Sequence, residues 1–166
     1  MQHNTVAAAG VPSGDAFDAA RNGDVARLAR ALDAGLPVAA CNEAGDGLLM
    51  LAAYHGREDA VALLLGRGAD ANTVNARGQH VLAGVCYKGF AAIAQCLLAA
   101  GADANGAAAA ARSPLMYAAM YNHAQITRLL LAHGADAGRR DADGKRALDL
   151  AREMRAVHTI AVLEGG

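Results

Sequence analysis

Short apolar segments occur in pairs along the chain, and a glycine divides each pair. In the stretch 48–66, one apolar segment covers residues 48–54, Gly56 follows it, and a second apolar segment covers residues 59–66. Apolar residues that return at helical spacing on either side of a glycine predict a helix–turn–helix unit. Helices of about two turns are unstable alone in water. Each unit therefore needs a neighbouring unit to cover its apolar face.

The whole pattern returns every 33 residues. The positions that repeat at this step include the glycines 35, 68, 101 and 134 and the aspartates 70, 103 and 136. A fixed period of this length indicates a solenoid, in which copies of one supersecondary unit are stacked. Such an architecture favours a binding scaffold over an enclosed active site.

The repeated unit resembles the ankyrin repeat. Residues 64–72 (LLGRGADAN) and 97–105 (LLAAGADAN) match the family's LL-x-x-GAD-x-N ending almost letter for letter. The resemblance covers residues 13–164 and implies an all-α solenoid of helix–turn–helix units with projecting hairpin fingers. We expect five repeats, at about 13–38, 39–71, 72–104, 105–137 and 138–164, of which the first and last are caps. Residues 1–12 carry no pattern, and we expect them to be disordered.

The chain departs from the family pattern at several positions. The family's T-P-L-H stretch survives only as SPLM at residues 113–116, so most first helices lack its capping residue. Gly84 lies inside a predicted helix, where glycine costs about 1 kcal/mol relative to alanine. The fourth finger has Gly106 followed by five alanines and lacks a turn glycine. The third and fourth repeats are therefore predicted to be the least stable part of the array.

Composition and charge exclude several functions. A formal net charge of -1 gives no overall attraction to nucleic acid or to an anionic membrane. No stretch of 18 apolar residues is present, and the N-terminus lacks the basic region of a signal peptide. We therefore expect a cytoplasmic monomer, and the alanine-rich and glycine-rich composition favours a bacterial source.

No constellation of residues indicates catalysis, a metal or a cofactor. The six histidines form no metal-binding spacing, and three cysteines without a CxxC pair indicate neither zinc nor a disulfide framework. Ser113 is interpreted as a helix cap, and Cys86 and Cys96 are expected to face the core as small apolar residues. The prediction is a protein that is not an enzyme.

The resemblance implies that fingers and first helices line a concave, partner-binding face. Three of the four tyrosines fall on its exposed positions, and tyrosine is enriched where proteins bind partners. The alternative is that these tyrosines only pack between adjacent repeats, as we expect for Tyr117. The candidate partner-binding residues are Asp46, Tyr54, His55, Arg77, Gln79, Tyr87, Lys88, Arg112, Met120, Tyr121 and Lys145.

The sequence thus predicts a protein–protein interaction module and leaves the kind of partner open. The protein could be an adaptor, or an inhibitor or immunity-type partner of an enzyme or toxin. A secreted effector or periplasmic protein is a second class, and an enzyme is a third for which no residue argues.

Overall fold

The chain forms ten α-helices arranged in five helix–turn–helix pairs. This computed structural model describes residues 13–107 and 111–165, and no strand longer than an isolated bridge occurs within them. The predicted all-α solenoid is confirmed. The helices are α1 (Ser13–Asn22), α2 (Val25–Asp33), α3 (Leu48–Tyr54), α4 (Glu58–Gly66), α5 (Val81–Lys88), α6 (Ala91–Ala99), α7 (Pro114–Met120), α8 (Ala124–Ala132), α9 (Ala147–Glu153) and α10 (Val157–Glu164).

The first helices of the pairs form one layer and the second helices form another. Helices α1, α3, α5, α7 and α9 pack in that order, and α2, α4, α6, α8 and α10 pack beside them. Small side chains let the helices of the first layer approach closely, and Ala52, Val85, Ala118 and Ala151 are fully buried at equivalent positions. The apolar area that each short helix buries against the next repeat is what stabilises it.

The two expected core cysteines behave differently. Cys86 is fully buried, as predicted, and its burial raises the pKa of its thiol. Cys96 is exposed, so the prediction that it faces the core is wrong. Successive helical residues are turned by about 100°. Because Ile93 and Leu97 direct one face of α6 into the core, Cys96 falls on the opposite, outer face.

The turn inside each helix pair requires a left-handed residue. Glycine occupies this position in the first three pairs, and Gly56 and Gly89 have φ of 71° and 84°. A side chain at Gly89 would come within 2.5 Å of the His123 ring, so this glycine also permits a close approach. The fourth pair uses Asn122 at φ 59°, because asparagine tolerates this conformation better than most residues. The predicted glycine turns are confirmed.

Asparagine side chains link successive repeats. The Asn72 amide donates to the Gly101 carbonyl at 3.1 Å, and its carbonyl oxygen accepts from the Asp103 N–H at 2.7 Å. Asn105 repeats both bonds one period later, to Gly134 and Asp136. These bonds satisfy backbone groups in the turn of the following repeat, and we call them the asparagine ladder.

Each described finger is a tight hairpin built on an Asx turn. Asn42 and Asn75 each accept two backbone N–H groups from residues two and four further along, and Asp141 does the same in the last finger. The predicted hairpin fingers are confirmed by isolated bridges between residues 41 and 47 and between residues 74 and 80.

Some predictions about local order remain open. Residues 108–110 of the alanine-rich fourth finger lie outside the described residues, and so does the segment 1–12 that we expect to be disordered. The lower stability of the third and fourth repeats and the repeat boundaries remain predictions.

Helix caps agree with the expected loss of capping residues. The Ser113 hydroxyl accepts from the Met116 N–H at 3.3 Å and caps α7, where Pro114 occupies the first turn. Gly47 and His80 stand at the corresponding positions before α3 and α5; Gly47 has no side chain, and the His80 ring makes no capping bond. Those helices therefore depend on packing against their neighbours.

A groove on the concave face

A groove of about 660 Å³ lies between the fingers and the first helices of the second, third and fourth repeats. Its floor is formed by α3, α5 and α7, with Arg21 contributed by α1, and its rim by the second and third fingers and by residues 106–107 and 111–112. The groove is lined by Arg21, Asp46, Met50, Leu51, Tyr54, His55, Asn75, Arg77, Gly78, Gln79, His80, Ala83, Gly84, Tyr87, Gly106, Ala107, Ala111, Arg112 and Tyr117.

Exposed tyrosines follow the first helices from one repeat to the next. Tyr54, Tyr87 and Tyr121 expose 42%, 39% and 42% of their surface, and we call these three the tyrosine row. The rings of Tyr87 and Tyr121 meet edge to face, with centroids 4.9 Å apart. The tyrosine row therefore contributes to packing between repeats while part of each side chain remains exposed to solvent.

Tyr117 lies deeper than the tyrosine row. It is half-buried against the core, and its ring meets Tyr87 edge to face at 6.2 Å between centroids. The expected core role describes only part of its environment, because the same ring also lines the groove.

Cations surround the N-terminal part of the tyrosine row. The Lys88 ammonium lies 4.6 Å from the centre of the Tyr54 ring and 6.0 Å from that of Tyr87, within range of cation–π attraction. Partial burial lowers the pKa of His55, and the nearby charges of Arg21, Arg57 and Lys88 lower it further. The His55 ring is therefore held in a positive environment.

Most of the candidate residues are brought together in the groove. Asp46, Arg77 and Gln79 lie along the rim with Arg112, whose guanidinium also pairs with the buried Asp141 carboxylate at 3.4 Å. Lys88 stands beside the groove over Tyr54.

Besides Lys88, three candidates lie outside the groove lining, and one of them, Tyr121, belongs to the exposed tyrosine row. Met120 is half-buried against the core, so little of its side chain is available to a partner. The Lys145 ammonium lies 2.7 Å from the Glu153 carboxylate, in an ion pair within the last repeat. Neither side chain lines the groove, although both belong to the predicted set.

The groove also contains residues that the sequence did not single out. Met50 and Ala83 lie one helical turn before Tyr54 and Tyr87 on the same face, and they are 33 residues apart. Helical spacing from the tyrosine row could have identified them. His80 lies at the base of its finger, against Gly106 of the next repeat. His80 reaches the groove only because of the path of the finger's backbone, so the spacing of residues in the sequence could not have predicted its position.

The described residues offer little for metal binding or membrane insertion. Within residues 13–107 and 111–165, no three His, Cys, Asp or Glu side chains are close enough to hold a metal ion. In the same ranges, no helix has both the length and the apolar character needed to cross a bilayer. The groove's side chains are mainly apolar, aromatic, cationic and amide groups with the single carboxylate of Asp46, and such a mixture suits noncovalent recognition.

Comparisons with known proteins agree with the repeat architecture. A family model described as ankyrin repeats (3 copies) matches residues 81–163, and one described as ankyrin repeats (many copies) matches residues 16–65 and 49–98. A Pseudomonas aeruginosa protein named as an ankyrin repeat protein is 53% identical over 47 residues, which make up 28% of this chain and 28% of that protein. The matches run through all five helix pairs, and the chain belongs to the ankyrin repeat family.

Proposed function

We propose that this protein is a non-enzymatic interaction module that binds a partner protein along the groove. Ankyrin repeats generally serve as protein–protein interaction modules, and the observation that carries the proposal here is the tyrosine row. Tyr54 and Tyr87 line the groove, Tyr121 contacts the Tyr87 ring, and each keeps about two fifths of its surface exposed. Tyrosine buries much area with few rotatable bonds, so it contributes strongly when a partner covers it.

Packing between repeats does not account for the whole row. The edge-to-face contact of Tyr87 with Tyr121 uses one side of each ring. The exposed remainder lies in or beside the groove, and exposed aromatic side chains grouped in this way support a binding role. Lys88 covers part of the Tyr54 ring without removing it from solvent.

The test is a pull-down from native lysate with wild type beside the triple variant Tyr54→Ala, Tyr87→Ala, Tyr121→Ala. Removing each interface tyrosine is expected to cost at least about 1 kcal/mol of binding energy, so the triple variant should bind at least about 100-fold more weakly. Mass spectrometry should then identify a protein that the wild type recovers and the triple variant loses. Circular dichroism must show that the variant keeps its helical content.

A matched control removes an exposed apolar side chain elsewhere. Val157 is exposed at the start of α10, in the layer of second helices and outside the groove lining, and Val157→Ala should recover the same partner as wild type. One stoichiometric enzyme in the pull-down would indicate an inhibitor, and several partners would indicate an adaptor. Identical recovery by the wild type and the triple tyrosine variant would refute binding along the groove.

A further inference from the structure

The charges around the groove are not those of the chain as a whole. The chain carries a formal net charge of -1, whereas the groove is lined by three arginines and one aspartate, with Lys88 beside them. A surface whose sign opposes that of the whole molecule selects partners of complementary charge.

Two of the groove arginines are already engaged by carboxylates. The Arg21 guanidinium lies 2.6 Å from Asp18, and that of Arg112 lies 3.4 Å from Asp141. These pairs contribute little net charge to the groove. Any recognition of a charged partner therefore depends on the remaining cations.

Arg77 and Lys88 are the cations that remain, since the Arg57 side chain near His55 donates to the Arg21 carbonyl instead. Among the described residues neither of them forms an ion pair, and both are exposed. Arg77 lies on the rim in the third finger, and Lys88 lies over Tyr54 at the end of α5. Asp46, on the second finger, is the carboxylate that lines the groove. The third repeat thus presents two available cations, one in its finger and one over the exposed Tyr54 ring.

We propose that the groove binds an extended acidic segment of the partner, with its carboxylates at Arg77 and Lys88 and its apolar side chains against Tyr54 and Tyr87. This inference rests on the proposed function and names the chemistry of its ligand. Arginine can hold a carboxylate through two parallel hydrogen bonds, and lysine attracts one as a point charge. Tyrosine rings receive the apolar side chains that lie between the acidic ones.

The size and charge of the groove favour a peptide over other ligands. A volume of about 660 Å³ accommodates a few side chains of an extended segment. A nucleic acid strand needs a continuous track of cations along its phosphates, but Asp46 lines this groove and two of its arginines are paired.

The test uses a phage-displayed library of random linear peptides, selected on the wild-type protein. Selected sequences should be enriched in Asp and Glu, and synthetic copies should bind more weakly as salt rises from about 0.05 to about 0.5 M, since salt screens exposed charges. The double variant Arg77→Glu, Lys88→Glu should bind these peptides at least about tenfold more weakly, because like charges would then face each other. Replacing both cations with Gln should give a smaller loss without new repulsion.

Arg128→Glu provides the matched charge control. Arg128 is exposed on α8, in the layer of second helices, and its reversal should leave peptide affinity unchanged. Circular dichroism of every variant must match wild type. Should the charge-reversed protein be misfolded, the glutamine variant and the salt dependence carry the test alone.

The outcomes separate this inference from the proposed function. Suppose that the selected peptides lose binding in the triple tyrosine variant but are neutral or basic, or bind the charge-reversed protein as well as wild type. The inference of an acidic ligand would then be overturned, while the proposal that the groove is the binding site would stand. Selection of no peptide, or of peptides indifferent to the tyrosine row, would count against both. Tighter binding of a labelled oligothymidine than of the selected peptides would assign the cations to nucleic acid instead.

Discussion

The asparagine ladder predicts a measurable loss of stability on replacing Asn72 with alanine. The substitution removes two hydrogen bonds to the next repeat, one to the Gly101 carbonyl and one from the Asp103 N–H. A net contribution of about 0.5–1.5 kcal/mol for each bond gives an upper range of about 1–3 kcal/mol. Because the bonds are exposed, water replaces part of them, and we expect the free energy of unfolding to fall by about 1–2 kcal/mol.

Urea denaturation followed by circular dichroism measures this loss. The matched control is Asn22→Ala, the same change at an exposed position whose side chain makes no hydrogen bond to another described residue. We expect the control to change the free energy of unfolding by no more than about 0.5 kcal/mol. Equal effects of the two substitutions would show that the ladder contributes nothing, and the reasoning from its geometry would be refuted.

The loop after the first helix pair offers the reverse experiment. Ala39 stands one period before Asn72, is exposed, and cannot form the ladder bonds. An asparagine placed there would face Gly68 and Asp70, the equivalents of Gly101 and Asp103. We expect Ala39→Asn to raise the free energy of unfolding by about 0.5–1 kcal/mol, as one or two exposed hydrogen bonds would. A neutral or destabilising result would mean that the first turn does not present its backbone groups in the same geometry.

Further expectations concern single residues. Gly84→Ala should raise the free energy of unfolding by about 0.5–1 kcal/mol in the same urea assay, since the added methyl would meet the Tyr54 ring at an ordinary 3.4 Å; a loss would mean that α5 needs glycine there. A thiol reagent should label two of the three cysteines of the folded protein and spare Cys86 until urea is added, because Cys86 is buried; labelling of all three in native protein would refute that burial. Hydrogen bonds and the charge of Arg146 lower the pKa of Asp149 from 3.8 to about 2, so its stabilising effect is complete above pH 3.8 and is lost as pH falls to about 2. The melting temperature of Asp149→Asn should therefore depend less on pH in that window, and an unchanged pH dependence would contradict the assignment.

The sequence predicted the features that repetition determines. The 33-residue period located the helix pairs, and the apolar spacing gave α3 its observed bounds and α4 to within one residue. The same period aligned Tyr54 with Tyr87, because equivalent positions in stacked repeats face the same way. The shared placement of Tyr54 and Tyr87 was therefore foreseeable before any coordinates, whereas Tyr121 lies one residue beyond the equivalent position, which Met120 occupies.

Features that depend on side-chain reach were not foreseeable. The ion pair of Lys145 with Glu153 was not foreseeable, because Glu153 is eight residues away and comes near only when the last finger folds back. The place of Lys145 at a partner-binding surface stays a prediction. Cys96 was assigned to the core from its place in an apolar run, although neighbouring residues of a helix can face opposite ways. The asparagines of the ladder belong to the repeat motif, but the sequence alone does not show that their side-chain amides form hydrogen bonds with the backbone of the following turn.

The groove draws its walls from three successive repeats, which has a consequence for folding in the cell. A segment bound across the second, third and fourth repeats contacts all of them together, so local opening of any one would release it. By mass action, a ligand at 100 times its dissociation constant stabilises the bound state by about 2.7 kcal/mol. Occupancy of the groove would then slow amide exchange in α3, α5 and α7 together. The partner would thereby set how long the protein survives proteolysis, as well as what it does.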